Sequence, residues 1–349
     1  MRSWLRAPAA VLFVGVLCVG CGAPGPVHIP ITHTRFDALE PARLVEFRKA
    51  RAHFVNHEYA AARDGFAALF AQDPENVIVG IWQQECEFAL LPDAPEISAR
   101  WARRALEQPT VANHVLAARV ATDTTARLDH LQAAEALDPR CAWVEYGRAY
   151  TAASAGDWPL ARESLARAKA ADPGHLWTFW LEAWIATRTA SLETAASALS
   201  GFLARAVDDP RVEPRLVDDA RLDLALVWTL SDEPRKARPL IDAVDPNGPD
   251  ALRRLTALAL VEQALGDLKG ALDAAGTAER LAPGEILPIV QQALLYEEWL
   301  GDDERAEAAW GRALALARSS TRLVSVLERT RAGVRLERFA AARARKAGP

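Results

Sequence analysis

Cysteine is scarce: the 349 residues hold four, too few for a disulfide scaffold. An excess of one charge is missing as well. Lys and Arg number 41 against 46 Asp and Glu, for a net charge of -5, whereas a dedicated nucleic-acid binder would be clearly basic. The chain has no phosphate loop, dinucleotide fingerprint, Gly-x-Ser-x-Gly or His-Glu-x-x-His. That counts against an enzyme, and neither a cofactor nor a bound metal is expected. Strand-like runs of alternating β-branched residues are absent too, so the pattern is that of an all-α protein. With 50% hydrophobic and 25% charged residues, the composition is that of a folded chain and not a disordered one.

Apolar runs are short. The stretch from Ala7 to Gly20 follows Arg2 and Arg6 and covers 14 residues, less than the ~20 that span a bilayer as a helix. Residues 1–20 therefore read as an export signal, and no later stretch is a spanning candidate. The cleavage region Leu17-Cys18-Val19-Gly20-Cys21-Gly22 resembles the lipobox of bacterial lipoproteins, with Cys18 where that family usually has Leu. The resemblance implies acylation of Cys21 and a protein anchored to a membrane in the bacterial cell envelope. Gly22 after the cysteine implies the outer membrane, on its periplasmic face. A plain signal peptide cut nearby is the alternative. Residues 21–36, stiffened by prolines near their start, form a short tether.

The remaining chain repeats itself. Pro or Asp-Pro recurs at Pro74, Pro109, Pro139, Pro173, Pro210, Pro246 and Pro283, with gaps of 30 to 37 residues. Ala- and Leu-rich stretches of helical period lie between them. Gly156-Asp157-Trp158, Ala161, Leu165, Ala168 and Asp172-Pro173 form one copy, and Gly266-Asp267-Leu268, Ala271, Ala275, Ala278 and Pro283 another. Glu58-Tyr59, Ala62, Phe66 and Asp73-Pro74 make a third, with His57 at the glycine position, and Gly301-Asp302, Ala306, Trp310 and Ala313 a fourth. These copies resemble the tetratricopeptide repeat (TPR). Gly ends the first helix in a left-handed conformation, Asp caps the second, Ala lets the backbones approach, and Pro marks the boundary. The resemblance implies a right-handed α-solenoid of about eight stacked helix hairpins over 37–317, with the second, third, fifth and sixth divergent. A basic capping helix and tail follow over 318–349.

Two features of the repeats bear on partners. Pro139, Trp143, Tyr146 and Tyr150 are each followed 34 residues later by Pro173, Trp177, Trp180 and Trp184, and the i, i+3, i+7 spacing sets each trio on one helix face. Burial in the core leaves Glu145 and Arg148 exposed and is favoured over a ligand-stacking ladder, which would bury both charges. The tail carries nine Lys or Arg against two Glu over 318–349, a net of +7; with +2 in the leader, about -14 is left on 21–317. The tail can thus meet an anionic surface or the acidic body of a second copy, so a homo-oligomer is possible.

Candidate chemistry is thin. His53 and His57 share a helix face at i and i+4, but a closed zinc site wants four ligands and His57 fits the turn. Cys86 and Cys141 fall about two repeats apart, too far for a disulfide, and read as buried thiols. Asp208-Asp209, Asp218-Asp219 and Asp302-Asp303 read as helix caps. What the TPR resemblance implies is a concave groove lined by first helices, taking a peptide or protein segment. Its groove positions fall on Phe47, Arg51, Arg148, Glu182, Arg253, Gln263, Gln291 and Glu298. The expected function is a non-catalytic, lipid-anchored interaction scaffold. The alternative is a small-ligand or glycan receptor using the Trp-rich centre.

Overall fold

The computed structural model describes residues 36–91, 94–209, 211–317 and 332–347. The leader, Cys21 and all of the tether except Phe36 lie outside the described residues, as do residues 318–331.

Helices form eight pairs in chain order, and no strand occurs among the described residues. They are Pro41–Val55 (α1) with Tyr59–Gln72 (α2), Val77–Leu90 (α3) with Ala94–Glu107 (α4), Val111–Val120 (α5) with Thr124–Leu137 (α6), and Ala142–Ser154 (α7) with Trp158–Ala171 (α8). Next come Leu176–Arg188 (α9) with Leu192–Ala206 (α10), Pro214–Leu230 (α11) with Pro234–Asp242 (α12), and Ala251–Leu265 (α13) with Leu268–Leu281 (α14). In the eighth pair Ile286–Leu294 (α15) continues through a π-helical turn, Leu295–Leu300, before Asp303–Ala317 (α16). A last helix, Ala332–Ala347 (α17), follows. The chain divides into two compact units, with the boundary between Val217 and Asp218.

The turn inside each pair shows why these sequences make hairpins. Six of the eight turns hold a residue with positive φ: His57 (62°), Gly156 (80°), Ala190 (58°), Asp232 (63°), Gly266 (87°) and Gly301 (65°). In five of them the next N–H reaches the carbonyl five residues back: Glu58 to His53, Asp157 to Ala152, Ser191 to Ala186, Glu233 to Trp228 and Asp267 to Glu262. This is the Schellman closure of a helix end. In the eighth pair the π-turn lengthens the loop by one residue, and Asp302 N–H donates to Tyr296 instead. The geometry therefore persists where glycine is replaced. Asp157, Asp267 and Asp302 then cap the second helix, accepting from Leu160, Gly270 and Arg305 N–H at 3.1, 2.9 and 3.0 Å.

Alanine makes the seam. Ala62, Ala161, Ala168, Ala271, Ala275, Ala306 and Ala313 are all fully buried, as the repeat pattern requires. Close approach is visible at Gly147 on α7, where a Cβ would meet Leu131 of α6 at 2.7 Å. In the first unit α3 packs on α5, α5 on α7 and α7 on α9, so successive first helices stack. In the second unit α13 packs on α14, α14 on α15, and α17 on α16, where Phe339 and Ala332 join the core around Trp310. The basic residues of α17 find partners in their own unit. Arg335 pairs with Glu297 and Glu298 at 2.8 and 2.9 Å, Arg338 with Glu297, and Arg343 with Glu307 at 2.6 Å.

Two substitutions separate the backbone requirement from packing. A Cβ at Gly156 would meet nothing within 4 Å, so Gly156→Ala reads conformation alone and should cost about 1 kcal/mol. Ala190→Gly should stabilise, by up to about the same amount. Chemical denaturation checks both; equal midpoints for all three proteins would contradict the assignment.

Candidate binding site

The first unit is organised around a short non-helical segment, Phe36 to Ala38. α3 begins at Asn76, whose Oδ1 accepts from Val79 N–H at 3.1 Å and so caps the helix. The cap holds the amide in place, and Asn76 Nδ2 donates to the Ala38 carbonyl at 2.9 Å. The first N–H of α3, from Val77, has no intrahelical acceptor and donates to the Phe36 carbonyl at 2.8 Å. Arg211, in the loop after α10, donates through Nη1 to the Asp37 carbonyl at 2.9 Å. Trp143 on α7 donates its indole N–H to Asp37 Oδ1 at 3.0 Å. Three consecutive carbonyls and one carboxylate are thus held by donors from the second pair, the fourth pair and the loop beyond the fifth.

Most of this is buried: Asp37 is 0% exposed, Phe36 5%, Arg211 6% and Trp143 1%, while Ala38 is exposed. A buried charge must be paired. Arg211 binds Asp209 through Nε and Nη2 at 2.9 and 2.7 Å, and its carbonyl accepts from Trp82 Nε1 at 3.2 Å. Arg51 of α1 lies in the field of the same loop; burial lowers its pKa while Glu213 and Asp209 oppose the shift.

The residues expected in a groove are mostly committed elsewhere. Phe47 is fully buried, edge-on to Phe66 and Trp82 with centroids 5.2 and 6.1 Å away, so it is core and offers no surface to a partner. Gln291 is also buried, at 2% exposure. Arg148 pairs with Glu135 at 2.5 Å and Glu145 at 2.8 Å, and Glu182 with Lys169 at 2.5 Å. Arg253 pairs with Asp219 and with Asp223, the latter at 3.1 Å, and Glu298 with Arg335. Gln263, half-buried on α13, makes no side-chain hydrogen bond among the described residues. The acidic pairs divide in role: Asp302 caps a helix, whereas Asp209, Asp218 and Asp219 pair with Arg211, Arg221 and Arg253. Arg211 and Arg221 follow their partners by two and three residues, whereas Arg253 reaches Asp219 from 34 residues away.

The aromatic column is largely core. Trp143, Tyr146 and Trp177 are buried at 1, 1 and 3% exposure. Tyr150, Trp180 and Trp184 are half-buried, and Tyr150 stacks on Trp184 at 6.0 Å while Trp180 meets Phe202 at 5.4 Å. Glu145 and Arg148 are not exposed as the core reading required; they are half-buried, and mutual pairing offsets their desolvation. His175, fully buried before α9, lies 4.8 Å from Trp143 and 5.4 Å from Tyr146. Neither of its ring nitrogens has a partner, and burial depresses its pKa to about 3. Cys86 and Cys141 are free, buried thiols, pushed up to about 12 by burial. His57 occupies the left-handed turn position and its Nδ1 lies 2.7 Å from the Tyr59 hydroxyl.

No family model and no curated protein matches the chain. Solved structures do. The Cut9-Hcn1 hetero-tetramer of the APC/C is similar with a TM-score of 0.53 and 14% identity, over 80% of this chain and 54% of that one. This chain therefore spans about half the length of that structure. A tetratricopeptide repeat protein from Parabacteroides merdae is similar at TM-score 0.42 and 12% identity, over 83% of this chain and 99% of that one. YrrB, a TPR protein with an unusual peptide-binding site, is similar at TM-score 0.44 and 13% identity, over 58% and 97%. The likeness is one of fold: the chain is an all-α solenoid of the TPR kind.

His175 predicts a pH dependence. Its folded pKa, about 3, lies below the ordinary 6.5, so the folded state excludes a proton that the unfolded state binds. The contribution is complete above pH 6.5 and is lost as pH falls from there towards 3, at up to about 1.4 kcal/mol per pH unit. In denaturation series between pH 7 and 4.5, His175→Phe should flatten the slope by about one proton. An unchanged slope would contradict the burial of a neutral imidazole.

Proposed function

We propose that the chain is a protein-interaction scaffold of the bacterial cell envelope, held at the outer membrane through an acylated Cys21, facing the periplasm and catalysing nothing itself. Three features support this reading: the leader with its lipobox-like cysteine, the TPR-type solenoid, and above all the held Phe36–Ala38 segment of the first unit. There, donors from the start of α3, from α7 and from the loop after α10 hold three consecutive backbone carbonyls and one acidic side chain. Backbone capture of this kind binds polypeptide irrespective of most side chains, with side-chain pockets adding selectivity. A scaffold so anchored stays close to the membrane. Phe36 stands 15 residues after Cys21, a reach of at most roughly 50 Å.

A small-ligand receptor is the second reading. It rests on a crevice between α5, α6 and α7, lined by Arg119, Arg127, Trp143 and Tyr150, with about 270 Å³ of empty space including its open mouth. Arg119 Nε in it has no partner. Ligand sites usually enclose roughly 300–1,000 Å³, whereas the enclosed part of this crevice is water-sized, about 10 Å³, and the neighbouring rings are packed on one another, so the scaffold reading is the stronger.

Photocrosslinking in cells tests it. A photoreactive residue at Gln263 in the full-length protein should yield a discrete protein adduct that the same residue at Leu106, on α4, does not. Cys21→Ser should move the protein from the membrane to the soluble fraction. Adducts equal to the Leu106 control would count against the scaffold, and unchanged membrane association against the anchor.

A further inference from the structure

We propose that the donors of Asn76, Val77, Trp143 and Arg211 in the first unit form a peptide site whose resident occupant is the chain's own Phe36-Asp37-Ala38, and that a protein partner presenting an aromatic–Asp segment binds by taking that place. This rests on the scaffold reading above and names its partner class.

The segment belongs to no helix pair, yet its donors are distant in sequence. Asn76 lies 38 residues from Ala38, Trp143 lies 106 from Asp37 and Arg211 lies 174 from it. Each donor is positioned by something other than the segment. Asn76 is fixed by capping α3, Val77 N–H by being the first of a helix, Trp143 by its edge-on contacts with Tyr146 and His175 at 5.9 and 4.8 Å, and Arg211 by its two bonds to Asp209. A site built this way is preorganised and keeps its donors aimed when the occupant leaves. It recognises two side chains: the aromatic ring of Phe36, 5% exposed, and the carboxylate of Asp37, 0% exposed and bonded to Trp143 Nε1 at 3.0 Å. Asp37 is the more selective of the two, because an apolar or missing side chain leaves that indole N–H buried without an acceptor. The resident segment is covalently tethered, so an external one competes against an effective concentration in the millimolar range. Occupancy by a partner is thereby held back until the resident contact weakens.

The experiment measures binding of a labelled synthetic peptide spanning Thr34 to Pro41 to the full chain in detergent, by fluorescence anisotropy. Asp37→Ala in the protein should bind the peptide at least about tenfold more tightly than the wild type. A peptide carrying the same Asp37→Ala change should lose that binding. Phe36→Ala, which leaves the Asp37–Trp143 bond in place, gives the same test should the first variant not fold. A folded variant that binds no peptide, or that binds it no better than the wild type does, overturns the inference. Failure here is distinguishable from failure of the scaffold reading, since the crosslinking at Gln263, on α13 of the second unit, tests that reading at a different surface.

Discussion

The first unit depends on one buried guanidinium. Arg211 donates to the Asp37 carbonyl, is neutralised by Asp209, and offers its own carbonyl to the indole of Trp82. A charge at 6% exposure is tolerable only with every direction answered. These answers bring together residues from the start of the described chain, the second helix pair and the loop beyond the fifth. Without Arg211, each pair would be tied chiefly to its sequence neighbours, as in a one-dimensional stack of repeats. With it, the first unit has a clasp between its two ends, and the segment caught in the clasp has the character of a bound peptide.

The two units meet their terminal problems differently. The first seals a polar interior with Asp37, Trp143 and Arg211. The second closes its last apolar face with α17, where Phe339 joins the core around Trp310, Arg338 lies over the Phe339 ring and reaches Glu297, and Arg335 lies over Trp310 and reaches Glu297 and Glu298. The charge asymmetry between tail and body is thus spent in part within the same unit. Polar side chains on the first helices are likewise drawn into pairs with neighbouring helices: Arg148 with Glu135, Glu182 with Lys169 and Arg253 with Asp219.

The architecture was legible because its signals are local. Gly156-Asp157, Gly266-Asp267 and the alanine ladder each report a backbone conformation or a close approach that needs no knowledge of distant partners. Even the irregular turns at His57 and Ala190 keep the left-handed residue, which explains why pairs with poor motifs still fold as pairs. The site was not legible for the converse reason. Register marks which helix face a residue occupies, but not whether a charge there meets solvent or a carboxylate one helix away. Phe47 follows the groove register and is core. Asp37 and Arg211 carry no motif at all; one sits where tether gives way to solenoid, the other in an inter-repeat loop. Nothing in their local spacing marks them: Arg211 has its ion-pair partner Asp209 two residues away, whereas its bond to Asp37 spans 174 residues.

The most direct test of the clasp is hydrogen exchange at the Val77 amide. The first N–H groups of a helix lack intrahelical acceptors and ordinarily exchange freely. Here the Phe36 carbonyl accepts at 2.8 Å inside a buried segment, so Val77 should be protected like the helix interior, and the protection should vanish in Asp37→Ala. A Val77 amide that exchanges in the wild type as fast as an exposed helix start would contradict the account.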